Sequence, residues 1–102
     1  MAAPGKWKAQ HTQARDMFPN AVKAWYNKKT GEGVVIEDVS DDEYADGKYD
    51  VHLLTDSGAV IDSLGYGVGN YGDKSEASSD AVDWMRKHPK GHDSKVDNRG
   101  VY

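Results

Sequence analysis

Asp50 and His52 stand two apart in the alternating stretch Tyr49-Asp50-Val51-His52-Leu53, which would place a carboxylate and an imidazole on one side of a single strand. They are the nearest approach to an acid–base couple in the chain. Hydrolytic chemistry asks for more: there is no cysteine nucleophile and no G-x-S-x-G elbow, so the pair reads as surface and no enzyme is expected. The histidines are His11, His52, His88 and His92. His88 and His92 are four apart, but Pro89 and Gly91 between them oppose a shared helical face, and without an H-E-x-x-H spacing no metal site is expected. Gly67-Val68-Gly69-Asn70-Tyr71-Gly72 spells G-x-G-x-x-G, yet dinucleotide binding also needs a second parallel strand after the helix. Beyond Pro89 the chain is short and polar, so the run reads as a flexible turn and no cofactor is expected.

The most informative stretch brings aromatic and cationic groups together in Lys23-Ala24-Trp25-Tyr26-Asn27-Lys28-Lys29-Thr30-Gly31-Glu32-Gly33. Read as two strands around a basic turn, this segment would turn Tyr26 inward with Val22 and Ala24 and leave Trp25 outward. Exposed rings beside cations suit single-stranded nucleic acid, whose bases stack and whose phosphates need positive charge. The candidate nucleic-acid-binding set is Lys23, Trp25, Tyr26, Lys28, Lys29 and His52.

Trp25-Tyr26-Asn27, Gly31 and Gly33, followed by Val51-His52, resemble the front half of the cold-shock domain, a small oligonucleotide-binding barrel. The resemblance covers residues 23–53 and implies stacking of bases on the first three strands. Where that family carries phenylalanines, this chain has Glu32, Val34, Asp50 and Leu53, and the two carboxylates would repel phosphate.

Charge supplies the alternative. The net charge is −4, but residues 1–30 carry six Lys/Arg and one Asp, residues 31–85 two Lys and fourteen Asp/Glu, and residues 86–102 five Lys/Arg and two Asp. An acidic middle suits a small regulator or inhibitor that engages a basic protein surface or imitates nucleic-acid charge, with Asp41, Asp42, Glu43 and Asp46 as its candidate contacts. Thirteen Asp against four Glu is also a composition found in salt-adapted proteins.

These groups must be positioned by one small domain, because 102 residues support a single modest core. Trp7, His11, Ala14, Met17 and Phe18 fall near one face at helical spacing, predicting a short N-terminal helix or a loose arm over residues 1–18. A globular domain over 19–89 follows, then a flexible tail over 90–102. Two hairpins are expected, over 21–39 and 48–64, with a solvated loop between them; a helix from Pro19 to Lys29 competes with the first. Asp73 and Glu76 at capping-box spacing, the face Ala77, Ala81, Trp84, Met85, His88 and the stop at Pro89 predict a C-terminal helix. The expected fold is α+β: about four antiparallel strands, as a sheet or partly open barrel, closed by that helix. With no apolar run near the ~18 residues of a membrane span and no signal-peptide core, the expectation is a soluble cytoplasmic protein with no membrane partner.

Overall fold

A computed structural model describes residues 7–9, 18, 20–57, 59–65 and 67–91. Five strands, β1 (Trp7–Ala9), β2 (Ala21–Asn27), β3 (Gly33–Asp38), β4 (Tyr49–Leu54) and β5 (Val60–Ser63), precede one helix, α1 (Lys74–Lys87). The sheet runs β1-β2-β3-β4-β5 with every pairing antiparallel, and it stays open because β1 and β5 meet only one neighbour each. The α+β class and both hairpins are as the sequence predicts. The fifth strand is additional.

β1 falls inside the segment whose spacing suggested a helix. Trp7 pairs with Asn27 and is buried at 2% exposure, so the described part of this segment joins the sheet, while residues 10–17 lie outside the described residues. Three residues are too few to display a period of two, and Trp7 matched the helical pattern by its distance from His11 and Ala14.

α1 covers one face of the sheet. Ala77, Ala81, Val82 and Met85 pack there with Trp7, Trp25, Val34, Ile36, Val51, Leu53 and Tyr71. The far face buries a smaller apolar set, Ala21, Ala24, Val35 and Leu54, against which Phe18 lies. Both faces of the central strands are therefore covered, which explains the unbroken Val34-Val35-Ile36 run of fully buried side chains in β3.

The helix begins where the sequence places it: the Asp73 carboxylate accepts a hydrogen bond from the Glu76 amide at 2.7 Å. Its other end is fastened to the sheet. Trp7 Nε1 donates to the His88 carbonyl (3.2 Å) and Asn27 Nδ2 to the Pro89 carbonyl (3.0 Å). Of the predicted tail, Lys90 and Gly91 are described; Gly91 is buried and its amide donates to the His88 carbonyl, while residues 92–102 lie outside the described residues.

Candidate functional site

The first hairpin inverts the expected orientation of its aromatics. A β-bulge between Ala21 and Lys23 shifts the register of β2 against β3. The alternation slips by one, so Val22 and Trp25 join the helix-side core and Ala24 the far face. Trp25 is only 5% exposed and offers no ring for a base to stack on, which corrects the expectation that it points to solvent. Lys23 is half-buried with its ammonium 5.9 Å from the Trp25 ring centroid, a cation–π contact spent inside the fold. Tyr26 is half-buried where an inward position was expected, and Lys28 and Lys29 are exposed on the turn.

Asn27, the third residue of the cold-shock-like motif, has a structural occupation. Its Oδ1 accepts from the Lys29 amide (2.9 Å) and the Thr30 amide (3.1 Å), closing the basic turn, while its Nδ2 holds the end of α1. Glu32, expected to repel phosphate from the surface, is 2% exposed and lies against Gly91, whose positive φ of 91° and lack of a side chain leave room for the carboxylate.

Asp50 and His52 share the far face of β4 but not a site. Asp50 is 3% exposed, and the glycine-rich run folds over it: its carboxylate accepts from the Gly69 amide (3.0 Å), the Asn70 amide (2.8 Å) and Asn70 Nδ2 (2.8 Å). Successive amides turned towards one anion form the kind of nest that elsewhere cradles phosphate. Here the anion is the chain's own carboxylate. Gly69 reaches it with φ 77°, and a side chain there would strike the Gly47 backbone.

His52 instead stands in a row across three strands. Its Nε2 lies 3.0 Å from Glu37 Oε1 on β3 and its Nδ1 2.8 Å from Ser63 Oγ on β5, while Phe18 stacks on the ring with centroids 5.9 Å apart. A carboxylate can only accept, so Nε2 carries the proton donated to Glu37, and in the neutral ring Nδ1 accepts from the Ser63 hydroxyl. Neither Glu37 nor Ser63 stood out in the sequence. The cross-strand register His52 to Ser63, and the β3–β4 register that brings Glu37 alongside, become visible only once the hairpins are paired. Among the described residues no three His, Asp or Glu side chains are grouped as a metal ion would require.

The acidic loop between β3 and β4 is held by its own side chains. Asp38 Oδ1 accepts from the Ser40 amide (2.9 Å) and hydroxyl (2.6 Å), Asp42 Oδ1 accepts from the Tyr44 amide (2.8 Å), and the Asp46 amide donates to the Val68 carbonyl (3.0 Å). Tyr44 is 82% exposed, with exposed Asp41, Asp42, Glu43 and Asp46 around it in the chain.

Strand direction sorts charge in space. The 28–32 and 55–59 turns lie at one end of the ladder, as the Gly33–Leu54 pair shows, and the end of α1 is fastened there through Asn27. That end carries Lys28, Lys29, Arg86, Lys87 and Lys90, with Asp56 and Asp83 among them. The acidic loop and the start of α1, with Asp73 and Glu76, lie at the opposite end beside the Tyr49–Tyr71 bridge, accompanied by Lys48 and Lys74. Six-residue strands separate the two by roughly 20 Å.

No family model, no curated protein and no solved structure matches this chain.

Proposed function

We propose that the chain is a binding module whose acidic end engages a basic protein surface, with Tyr44 as the central contact and Asp41, Asp42, Glu43 and Asp46 around it. The observation that carries this reading is Tyr44 itself, 82% exposed on a loop whose backbone is already fixed by Asp38 and Asp42. Tyrosine is over-represented among residues that dominate binding energy, and a pre-ordered loop loses little entropy on association. The surrounding carboxylates would steer a cationic partner and set the salt dependence of its capture.

The test is affinity capture from an extract of the source cell with three proteins: the natural chain, Tyr44→Ala, and a variant with Asp41, Asp42 and Asp46 changed to Asn and Glu43 to Gln. The same basic partner should be lost from both variants and recovered at low salt by the natural chain. Capture unchanged by either variant would remove the reading.

Binding of single-stranded nucleic acid at the opposite end is the second reading, favoured by exposed Lys28 and Lys29 near Arg86, Lys87 and Lys90. With Trp25 buried it would rest on phosphate contacts, alongside half-buried Tyr26 and His52, and be weak at physiological salt. Anisotropy of a labelled oligothymidylate at low salt, with and without Lys28→Ala and Lys29→Ala, distinguishes it from the first.

A further inference from the structure

We propose that Ser63 is an activated nucleophile that accepts acyl groups from small neutral or cationic esters, with His52 as its base and Glu37 as the group that positions the base. This inference is independent of the acidic loop and rests on the row across β3, β4 and β5. The parts required of a hydroxyl nucleophile are a base within hydrogen-bond reach and a third group that orients the base. Ser63 Oγ and His52 Nδ1 are 2.8 Å apart, and His52 Nε2 and Glu37 Oε1 3.0 Å apart. The Phe18 ring, 21° from parallel with the imidazole, limits rotation of the base.

Ser63 also borders space for a substrate. A groove lined by Val60, Asp62, Ser63, Gly65 and Gly67 opens at the free edge of β5. Gly65 and Gly67, at φ of 93° and 80°, line the same groove, and their amides are the proposed donors to a developing oxyanion. Exposed Val60 offers an apolar wall to a short acyl chain. Asp62 accepts from the Ser63 amide at 2.8 Å and places a carboxylate at the groove, which disfavours anionic esters.

In the acyl-transfer step the Ser63 hydroxyl proton passes to His52 Nδ1 as Oγ bonds to the ester carbonyl carbon. The bond from that carbon to the leaving oxygen then breaks, and the leaving alkoxide takes the proton from His52. Water, deprotonated by the same nitrogen, attacks the acyl-serine and releases the acid, returning the proton to Ser63 Oγ. The sum is ester plus water to acid plus alcohol.

The experiment treats the full chain with p-nitrophenyl acetate and follows acetylation of individual serines by peptide mass spectrometry, with Ser57 serving as internal control. A base in contact contributes typically 100-fold or more, so Ser63 should be acetylated about 100-fold faster than Ser57. His52→Gln, checked for an unchanged melting curve, should bring Ser63 down to the control rate. Glu37→Gln keeps an oxygen to accept from Nε2 and should retain more of the rate than Glu37→Ala. A residue that only supports the fold would move the melting curve of Glu37→Ala and leave the ratio of Ser63 to Ser57 acetylation in the folded variant unchanged. Acetylation of Ser63 no faster than Ser57 in the natural protein overturns the proposal even if no variant folds. Full reactivity in a folded His52→Gln variant overturns it as well.

Discussion

Buried carboxylates are uncommon because an unpaired charge loses its hydration, and Asp50 is buried because Gly69 and Asn70 replace that hydration with three N–H donors. The same contacts hold the glycine-rich run against β4. Asp50→Ala would leave all three donors without their anion, and charge-assisted bonds of this kind are worth about 1.5–3 kcal/mol each, with losses that do not add. A destabilisation of about 3 kcal/mol is expected by urea denaturation, with a fall of more than about 10 °C in Tm. A loss under about 0.5 kcal/mol would mean the nest contributes nothing to stability. Tyr71 gives the pH-dependent case. Burial, then the hydrogen bond to Asp80 and the nearby charges of Asp80, Glu76 and Asp50, push its phenol above the ordinary tyrosine range. A phenol whose folded pKa is raised contributes stability that is fully present below its unfolded value near 10 and is lost as pH rises beyond it. Absorbance at 295 nm should therefore show one tyrosine ionising late, a step absent from Tyr71→Phe and moved to lower pH in Asp80→Asn. A late step that persists in Tyr71→Phe would assign the shift to another residue.

At the scale of elements, two side chains, Trp7 and Asn27, join the end of α1 to the sheet. Asn27 closes the basic turn with its oxygen and holds the Pro89 carbonyl with its nitrogen. Asn27→Asp keeps the oxygen but sets a carboxylate against that carbonyl, so it should loosen the end of α1 while leaving the turn formed. Expected is a loss of about 2 kcal/mol, together with faster amide exchange at His88 and Gly91 than at Thr30. Equal protection at the two places would show that Asn27 does not join them. This joint was partly legible in the sequence. The helix could be located from Asp73, Glu76 and Pro89 because caps and stops act over three or four residues. The hairpins could be located from alternation and turn residues. The facing of Trp25 could not, because the bulge after Ala21 breaks the period of two by which facing is read. Glu32 and Asp50 read as surface charges for a related reason: Gly91 and Gly69, which accommodate them, lie 59 and 19 residues further along the chain. Ser63 and Glu37 were invisible as partners of His52 until β3, β4 and β5 were laid side by side.

For the molecule as a whole, charge segregated along the chain becomes charge segregated in space. The long antiparallel strands carry the acidic loop to one end and return the cationic end of α1 to the other, beside Lys28 and Lys29. α1 reinforces the polarity, since its acids Asp73 and Glu76 stand at the positive end of its own dipole and Arg86 and Lys87 at the negative end. Such a molecule should meet charged surfaces in a preferred orientation, and its retention should depend on where charge lies as well as on how much there is. Two variants separate these effects. Changing Asp41 and Asp42 to Asn and Glu43 to Gln takes the net charge from −4 to −1, and so does changing Asp56, Asp62 and Asp83 to Asn. All six residues are exposed, so stability should move by less than about 0.5 kcal/mol in either variant. On an anion exchanger the loop variant should elute at clearly lower salt than the dispersed variant, because it dismantles the concentrated acidic patch of the loop. Identical elution would show that net charge alone governs contact and that the acidic end is not a distinct surface. If the proposed contact is made at this end, capture of a basic partner by the loop variant should fail at lower salt than capture by the natural chain.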